Sequence, residues 1–488
     1  MIHNREDVIH NRENAIPKSL VLILSFSLAC LAQETPTERE AAREVVRKLN
    51  TLEQSLDIPA AVAKLTGPDA ERDRVAARAK ELMETGLLAL ADDITRHPEI
   101  GFEERRSIGK LIEVLRQHGF EVKTDVAGFE TAFVARFHGS SARPVLGVIV
   151  EYDALRGTKG AFHGDQHSAQ GPVGIAAAVA VAEYLERTKT PGSVVVYGTP
   201  AEERMPPPVK TVMFQAKVFD ADVIVRSHSS IASTRAAPGF GTCCMNIDGV
   251  KYIFSGAPAH QLMAWNGRNA LTAVIELFNH IDAIRSNLRP EARIQGVITE
   301  GGSAPNVVPD RAVADFYIRY PDAAYLKQVR EMVDNAARAA ALATGTKVKI
   351  DAYGEMRDGI SIASLGEVSF GYLKKFGATH LETVSGSPQG YDETGSVSSA
   401  VPGVGVSAFT STGAYHTYEM EADALNETGH RGFVIDAQTM ASILYDFAAY
   451  ADYRTLVQRE FGAVRSLYGE YQEALNQTYQ TPAVPEAK

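Results

Sequence analysis

Between residues 132 and 228 the chain repeats one pattern, a short run of almost unbroken apolar residues followed by a stretch with helical spacing. The runs are TAFVARF, PVLGVIVEYDAL, SVVVYGT and ADVIVRSH, with helices expected over 172–188 and around 209–218. A strand alternates its side chains between two faces, so one that is apolar throughout has to be covered on both. Such strands alternating with helices specify an α/β fold, a mostly parallel sheet covered by helices. Sheets of this kind gather their ligands at the carboxyl ends of the strands.

A different periodicity occupies 242–353. Strand TCCMNIDGVKYIFSG, a helix over 268–288, strands ARIQGVITEG and RAVADFYIRYP, a helix over 323–344 and strand KVKIDAY give the order β-α-β-β-α-β, a ferredoxin-like α+β unit. The α/β pattern then resumes with strand PGVGVSAF and a closing helix over 431–456, so the second unit is inserted into the first. The main domain is therefore expected over 33–241 and 354–488, with helices over 38–94 broken at Gly67-Pro68 and a frayed tail ending TPAVPEAK.

The first 32 residues differ from the rest. Lys18 precedes the apolar run SLVLILSFSLACLA, which is too short to span a bilayer and has the length of a signal-peptide core. Cleavage after Ala32 leaves Cys30 and Ala32 at the small-residue positions, so the expected mature chain is secreted or periplasmic with no membrane span. A formal charge of −11 argues against a nucleic-acid partner, because no basic face is available for phosphates. Three cysteines, with Cys243 and Cys244 adjacent, supply no disulfide framework.

Chemistry-bearing residues sit where the expected strands end. His163-Gly-Asp165-Gln-His167 follows the second run, and on extended backbone residues i, i+2 and i+4 share a face. Glu202-Glu203 follows SVVVYGTP, His228 closes ADVIVRSH, and His416 follows PGVGVSAF in STGAYHTY. Imidazole and carboxylate donors delivered by successive strand ends suit Zn²⁺ or Mn²⁺. Adjacent carboxylates on extended backbone face opposite ways, which predicts separate roles for Glu202 and Glu203.

The series HPEIGFEE (97–104), EYDAL (151–155), HGDQH (163–167), GTPAEE (198–203), SH (227–228), GAPAH (256–260), GRNAL (267–271), APNVVP (304–309) and a late His416 resembles the M20 family of metallopeptidases over residues 78–455. It is similar to the amidohydrolase branch that contains aminobenzoyl-glutamate hydrolase and N-acyl amino acid amidohydrolases. The resemblance implies a hydrolase with two divalent metal ions per subunit, Zn or Mn, whose inserted unit is a lid and dimerisation domain in a homodimer. It implies Asp165, in place of the branch's usual Cys, together with His167, Glu203, His228 and His416 as metal ligands, with His163 outside that set. It further implies Glu202 as general base, His260 as an oxyanion donor reaching the partner subunit's site, and Asn306 and Arg319 as substrate-binding groups. The expected substrate is a small-molecule amide: an N-acyl amino acid, aminoacyl conjugate or dipeptide. A dipeptidase acting on a free N-terminus and a non-catalytic secreted binding protein are the alternatives. Two departures from the family pattern stand near the site, Arg204-Met-Pro-Pro-Pro208 in place of a Gly-rich turn and Glu393 in DETGSVS at a usual Asp position.

Overall fold

The computed structural model describes residues 36–204, 207–242, 245–383 and 387–479. The expected signal segment 1–32, Cys243 and Cys244, Met205-Pro206 of the proline loop and the tail after 479 lie outside them. No helix among the described residues is long and apolar enough to cross a membrane.

The main sheet contains β1 (Glu121–Val126), β2 (Phe129–His138), β3 (Val145–Val150), β6 (Ser193–Gly198), β7 (Val223–Ser227) and β14 (Gly403–Val406), in the order β1-β2-β6-β3-β7-β14. β6, β3, β7 and β14 run parallel, while β1 and β2 add an antiparallel edge. Every residue of β3 and β6 is buried because both faces are covered. Leu146, Val148 and Val150 pack with Val173, Ala177 and Val181 of the helix His167–Thr188, whereas Val145 and Ile149 pack on the other side with Val209 and Met213 of the helix Val209–Gln215. The two-faced core is the physical reason the runs are continuously apolar. Parallel alignment puts the carboxyl ends of β3, β6, β7 and β14 on one edge.

Two small ribbons accompany this sheet. β4 (Leu155–Gly157) pairs with β5 (Gly160–Phe162) in a hairpin after β3, and β8 (Gly239–Gly241) pairs with β13 (Gly359–Ser361) where the chain leaves and re-enters the main domain. Between them lies a second sheet of β9 (Asn246–Ser255), β10 (Arg293–Glu300), β11 (Arg311–Tyr320) and β12 (Lys347–Met356), antiparallel in the order β10-β11-β9-β12. Helices Ala270–Ile284 and Ala323–Thr344 cover one face through a core that includes Tyr252, Phe254, Val274, Leu277, Phe316, Ile318, Val329 and Val333. Connectivity and strand order are those of a ferredoxin-like unit.

Two helix boundaries differ from the sequence reading. The helix expected from 172 begins at His167, so Pro172 lies more than a turn inside it. Gln166, at φ +52°, caps it, and its N–H donates to the His163 carbonyl at 3.1 Å. Residues 163–167 are therefore a turn entering a helix, and His163, Asp165 and His167 do not share the face of an extended segment. The expected closing helix is two, Glu427–Ala449 and Ala451–Thr478, divided at Tyr450, whose φ −110° and ψ 103° are extended. The last helix leaves the main domain and delivers Leu475 into the second core, followed by Tyr479, whose hydroxyl donates to Asp322 at 2.6 Å.

Asp436, on Glu427–Ala449, is fully buried; it accepts the Ala408 N–H at 2.8 Å and the Ser227 hydroxyl at 3.0 Å, joining the exits of β14 and β7. Burial pushes its carboxyl up to about 8. An acid raised in the folded state gives stability that is present below its unfolded value, about 3.9, and is lost as pH rises toward the folded value. Asp436→Asn has no proton to lose, so its melting temperature relative to the parent should rise by a few degrees between pH 5 and pH 8. Scanning calorimetry at both pH values checks this, and a constant offset contradicts it.

Candidate metal centre

The parallel strand ends deliver the candidate residues to one place. Beyond β3 come Glu151 and Asp153, and after the β4–β5 hairpin the chain returns with Asp165 and with His167 as first residue of its helix. Beyond β6 the chain turns at Ala201 into Glu202 and Glu203; His228 follows β7, and His416 lies in the loop after β14. Asp165 Oδ2 is the common point, 3.6 Å from His228 Nε2, 3.6 Å from His416 Nε2 and 3.9 Å from His167 Nε2. Glu203 Oε1 lies 3.6 Å from His416 Nε2. Asp165, Glu203 and His416 form one group of potential ligands and His167, Glu202 and Glu203 another, each spanning less than 4.8 Å.

The backbone at 201–204 is a turn, with Ala201 at φ +55°, so the alternation expected for Glu202 and Glu203 does not hold. Both carboxylates come within reach of His167. Gln166, Ala201, Glu393 and His416 are all non-glycine residues at positive φ, and they flank this centre. Left-handed backbone at such residues costs about 1–3 kcal/mol each and persists where the surroundings over-determine it.

Neighbouring side chains orient these donors. His167 Nδ1 lies 3.0 Å from Asp153 Oδ1, which turns Nε2 toward the centre. Asp153 Oδ2 accepts the Glu203 N–H at 2.9 Å, and Ser229 Oγ donates to Asp165 Oδ1 at 2.6 Å, leaving Oδ2 for the imidazoles. Behind them Glu151, fully buried, accepts from Arg226 Nη2 at 2.6 Å and ion-pairs with Lys210; both cations also pair with Glu393. Glu151, Asp153, Lys210, Arg226 and Ser229 are not among the candidates that the sequence pattern singles out. Asp153 carried a signal, standing in EYDAL just beyond a strand end; Lys210 and Arg226 carried none, since their charge partners are distant in sequence.

The donors fit divalent cations. His167 Nε2 and Glu203 Oε1 are buried without a hydrogen-bond partner, although both aim at the centre. Burial, with the charges of Glu202 and Asp165, pushes Glu203 up to about 7, and burial raises Glu202. Against its own burial, Asp165 is held well below the usual carboxylate range by His228, His416 and His167. Six carboxylates, Glu151, Asp153, Asp165, Glu202, Glu203 and Glu393, face two cations, Lys210 and Arg226. Carboxylates outnumber cations around the centre, and divalent ions would offset that excess of negative charge.

The other sequence candidates lie elsewhere. His163 is buried and belongs to none of the ligand groups; its backbone N–H donates to Glu421 at 2.8 Å. His260 is exposed on the inserted unit at the start of the short 3₁₀ segment Gln261–Asn266, with Nδ1 accepting the Leu262 N–H at 3.2 Å. Asn306, also exposed, sits beside it, because the Asn306 carbonyl accepts the Gln261 N–H at 3.1 Å. Arg319 is at the far end of β11, its guanidinium 5.6 Å from the Tyr317 ring centroid and its Nε buried without a hydrogen bond. Among the described residues, none of these three forms a hydrogen bond or ion pair with the centre.

Residues 245–344 match the family described as the peptidase dimerisation domain. The chain is 30% identical over 372 residues to the Xaa-Arg dipeptidase of Mus musculus, covering 72% of this chain and 82% of that protein. It is 33% identical over 277 residues to one subunit of the p-aminobenzoyl-glutamate hydrolase of Escherichia coli, covering 53% of this chain and 56% of that one. Among solved structures, a dinuclear metal-binding peptidase from Bacillus subtilis superposes with a TM-score of 0.54 at 17% identity, over 76% of this chain and 99% of that one.

Proposed function

This chain belongs to the M20 family of metal-dependent peptidases and amidohydrolases, and we propose that it cleaves the amide bond of an N-acyl amino acid, aminoacyl conjugate or dipeptide. The observation that carries this reading is the single Asp165 oxygen shared by three imidazoles. Asp165, His167, His228, Glu203 and His416 would hold the two ions, with Asp165 at the centre of the set. Two divalent ions bound there supply Lewis acidity toward the scissile carbonyl and lower the pKa of water.

The chain's own groups do the rest. Glu202, raised by burial and not tied to His416, accepts a proton from the attacking water and returns it to the leaving nitrogen. His260 of the partner subunit donates to the oxyanion, Asn306 hydrogen-bonds the substrate's amide or carboxylate, and Arg319 takes a carboxylate. The homodimer this requires is supported by the matched dimerisation domain and by exposed apolar side chains beside His260 and on edge strand β10: Leu262, Met263, Trp265, Val297 and Ile298. Likeness to the Xaa-Arg dipeptidase keeps a dipeptidase acting on a free N-terminus as the second reading. The segment 1–32 supports export, to the periplasm or outside the cell.

Zn and Mn both suit the donor set, and a carboxylate at Asp165 in place of the branch's thiolate favours the harder Mn²⁺. Chelators should therefore abolish hydrolysis, Mn²⁺ should restore it at least as well as Zn²⁺, and thiol-alkylating reagents should leave it intact. Hydrolysis assays with each reagent test this, and inactivation by the thiol reagent contradicts it.

A further inference from the structure

Glu151 is a buried carboxylate to which the proposed mechanism gives no task. One of its oxygens lies in ligand range of both His167 and His228, and Oε2 is 3.6 Å from His167 Nε2. Added to Asp165, it would give the ion at those two imidazoles a fourth protein donor. A catalytic ion keeps three protein donors and one open position, whereas four protein donors make a closed, structural site. Yet both oxygens of Glu151 are held elsewhere, Oε2 by Arg226 Nη2 at 2.6 Å and Oε1 by Lys210. Arg226 is fixed on β7 and Lys210 on the helix Val209–Gln215; both are nearly buried, and Glu393 anchors them from another segment.

We propose that Lys210 and Arg226 are positioning residues that withhold Glu151 from the ion at His167 and His228, keeping that ion's fourth position open to substrate and water. This rests on the two-metal reading above. Metal content of the parent protein tests that reading separately, with two ions per chain expected.

Cobalt(II) is the probe, because its visible absorption weakens as coordination number rises. In Lys210→Met, Glu151 Oε1 is released while Arg226 still holds Oε2: the freed oxygen should join the ion, so the absorption per bound cobalt should fall, affinity for the second cobalt should rise on the order of tenfold, and turnover should drop on the order of 10–100-fold. The double variant Lys210→Met/Glu151→Gln should recover the parent spectrum, affinity and most of the turnover, which a purely structural loss would not. A parent-like spectrum in Lys210→Met, or a loss that the double variant does not relieve, overturns the proposal. If Lys210→Met does not fold, Glu151→Gln alone decides: two cobalt ions with the parent spectrum are expected, and a changed spectrum or a lost ion makes Glu151 a resident ligand and overturns it.

Discussion

Glu202→Gln should lower turnover by about 10²–10⁴-fold while leaving metal content and substrate affinity nearly unchanged. The substitution keeps size and hydrogen bonding and removes only the proton acceptor. Glu203→Gln should behave differently, losing metal occupancy and recovering partly in excess metal, because Glu203 Oε1 faces His416 at 3.6 Å as a donor would. The reason for separating them is not the strand alternation the sequence suggested, since both lie in a turn. It is that the Asp165–His416 group includes Glu203 and not Glu202. Metal analysis beside single-turnover kinetics distinguishes the variants. Loss of metal from Glu202→Gln with retention in Glu203→Gln reverses the assignment.

His260→Ala should cost on the order of 10²–10³ in turnover with little change in metal content, the usual effect of removing one oxyanion donor. Within one chain His260 is exposed on the inserted unit and, among the described residues, its side chain accepts only the Leu262 N–H, so the expected effect depends on a partner subunit. Mixing His260→Ala with Glu202→Gln subunits tests that dependence. Each homodimer is inactive, but a mixed dimer joins one intact Glu202 to one intact His260, and random reassortment should restore about a quarter of parent activity per chain. No restoration in a pool proven to exchange subunits places His260 in its own subunit's chemistry. A fully active monomer by light scattering removes both the dimer and the role.

The sheet was legible because β3, β6 and β7 are buried on both faces and carry the apolar residues that this demands. The residues that meet at Asp165 were legible for the same reason, since parallel strands put their ends on one edge. The start of the helix at His167 was not: Pro172 reads as a first turn, while the turn at Gln166 that begins the helix depends on packing around the site. Lys210 and Arg226 act through partners 183 and 75 residues away, separations that no local pattern encodes. The division of the last helix at Tyr450, and its reach to the inserted unit through Leu475 and Tyr479, are likewise tertiary facts.

Hydrolysis of a panel of N-acyl amino acids and dipeptides by protein carrying two divalent ions per chain tests the proposed activity most directly. Release of a free amino acid from at least one member, abolished by a chelator, is the predicted result. Two bound ions with no turnover on any member contradicts it, and would make the chain a binding protein that keeps the fold and the metals without the reaction.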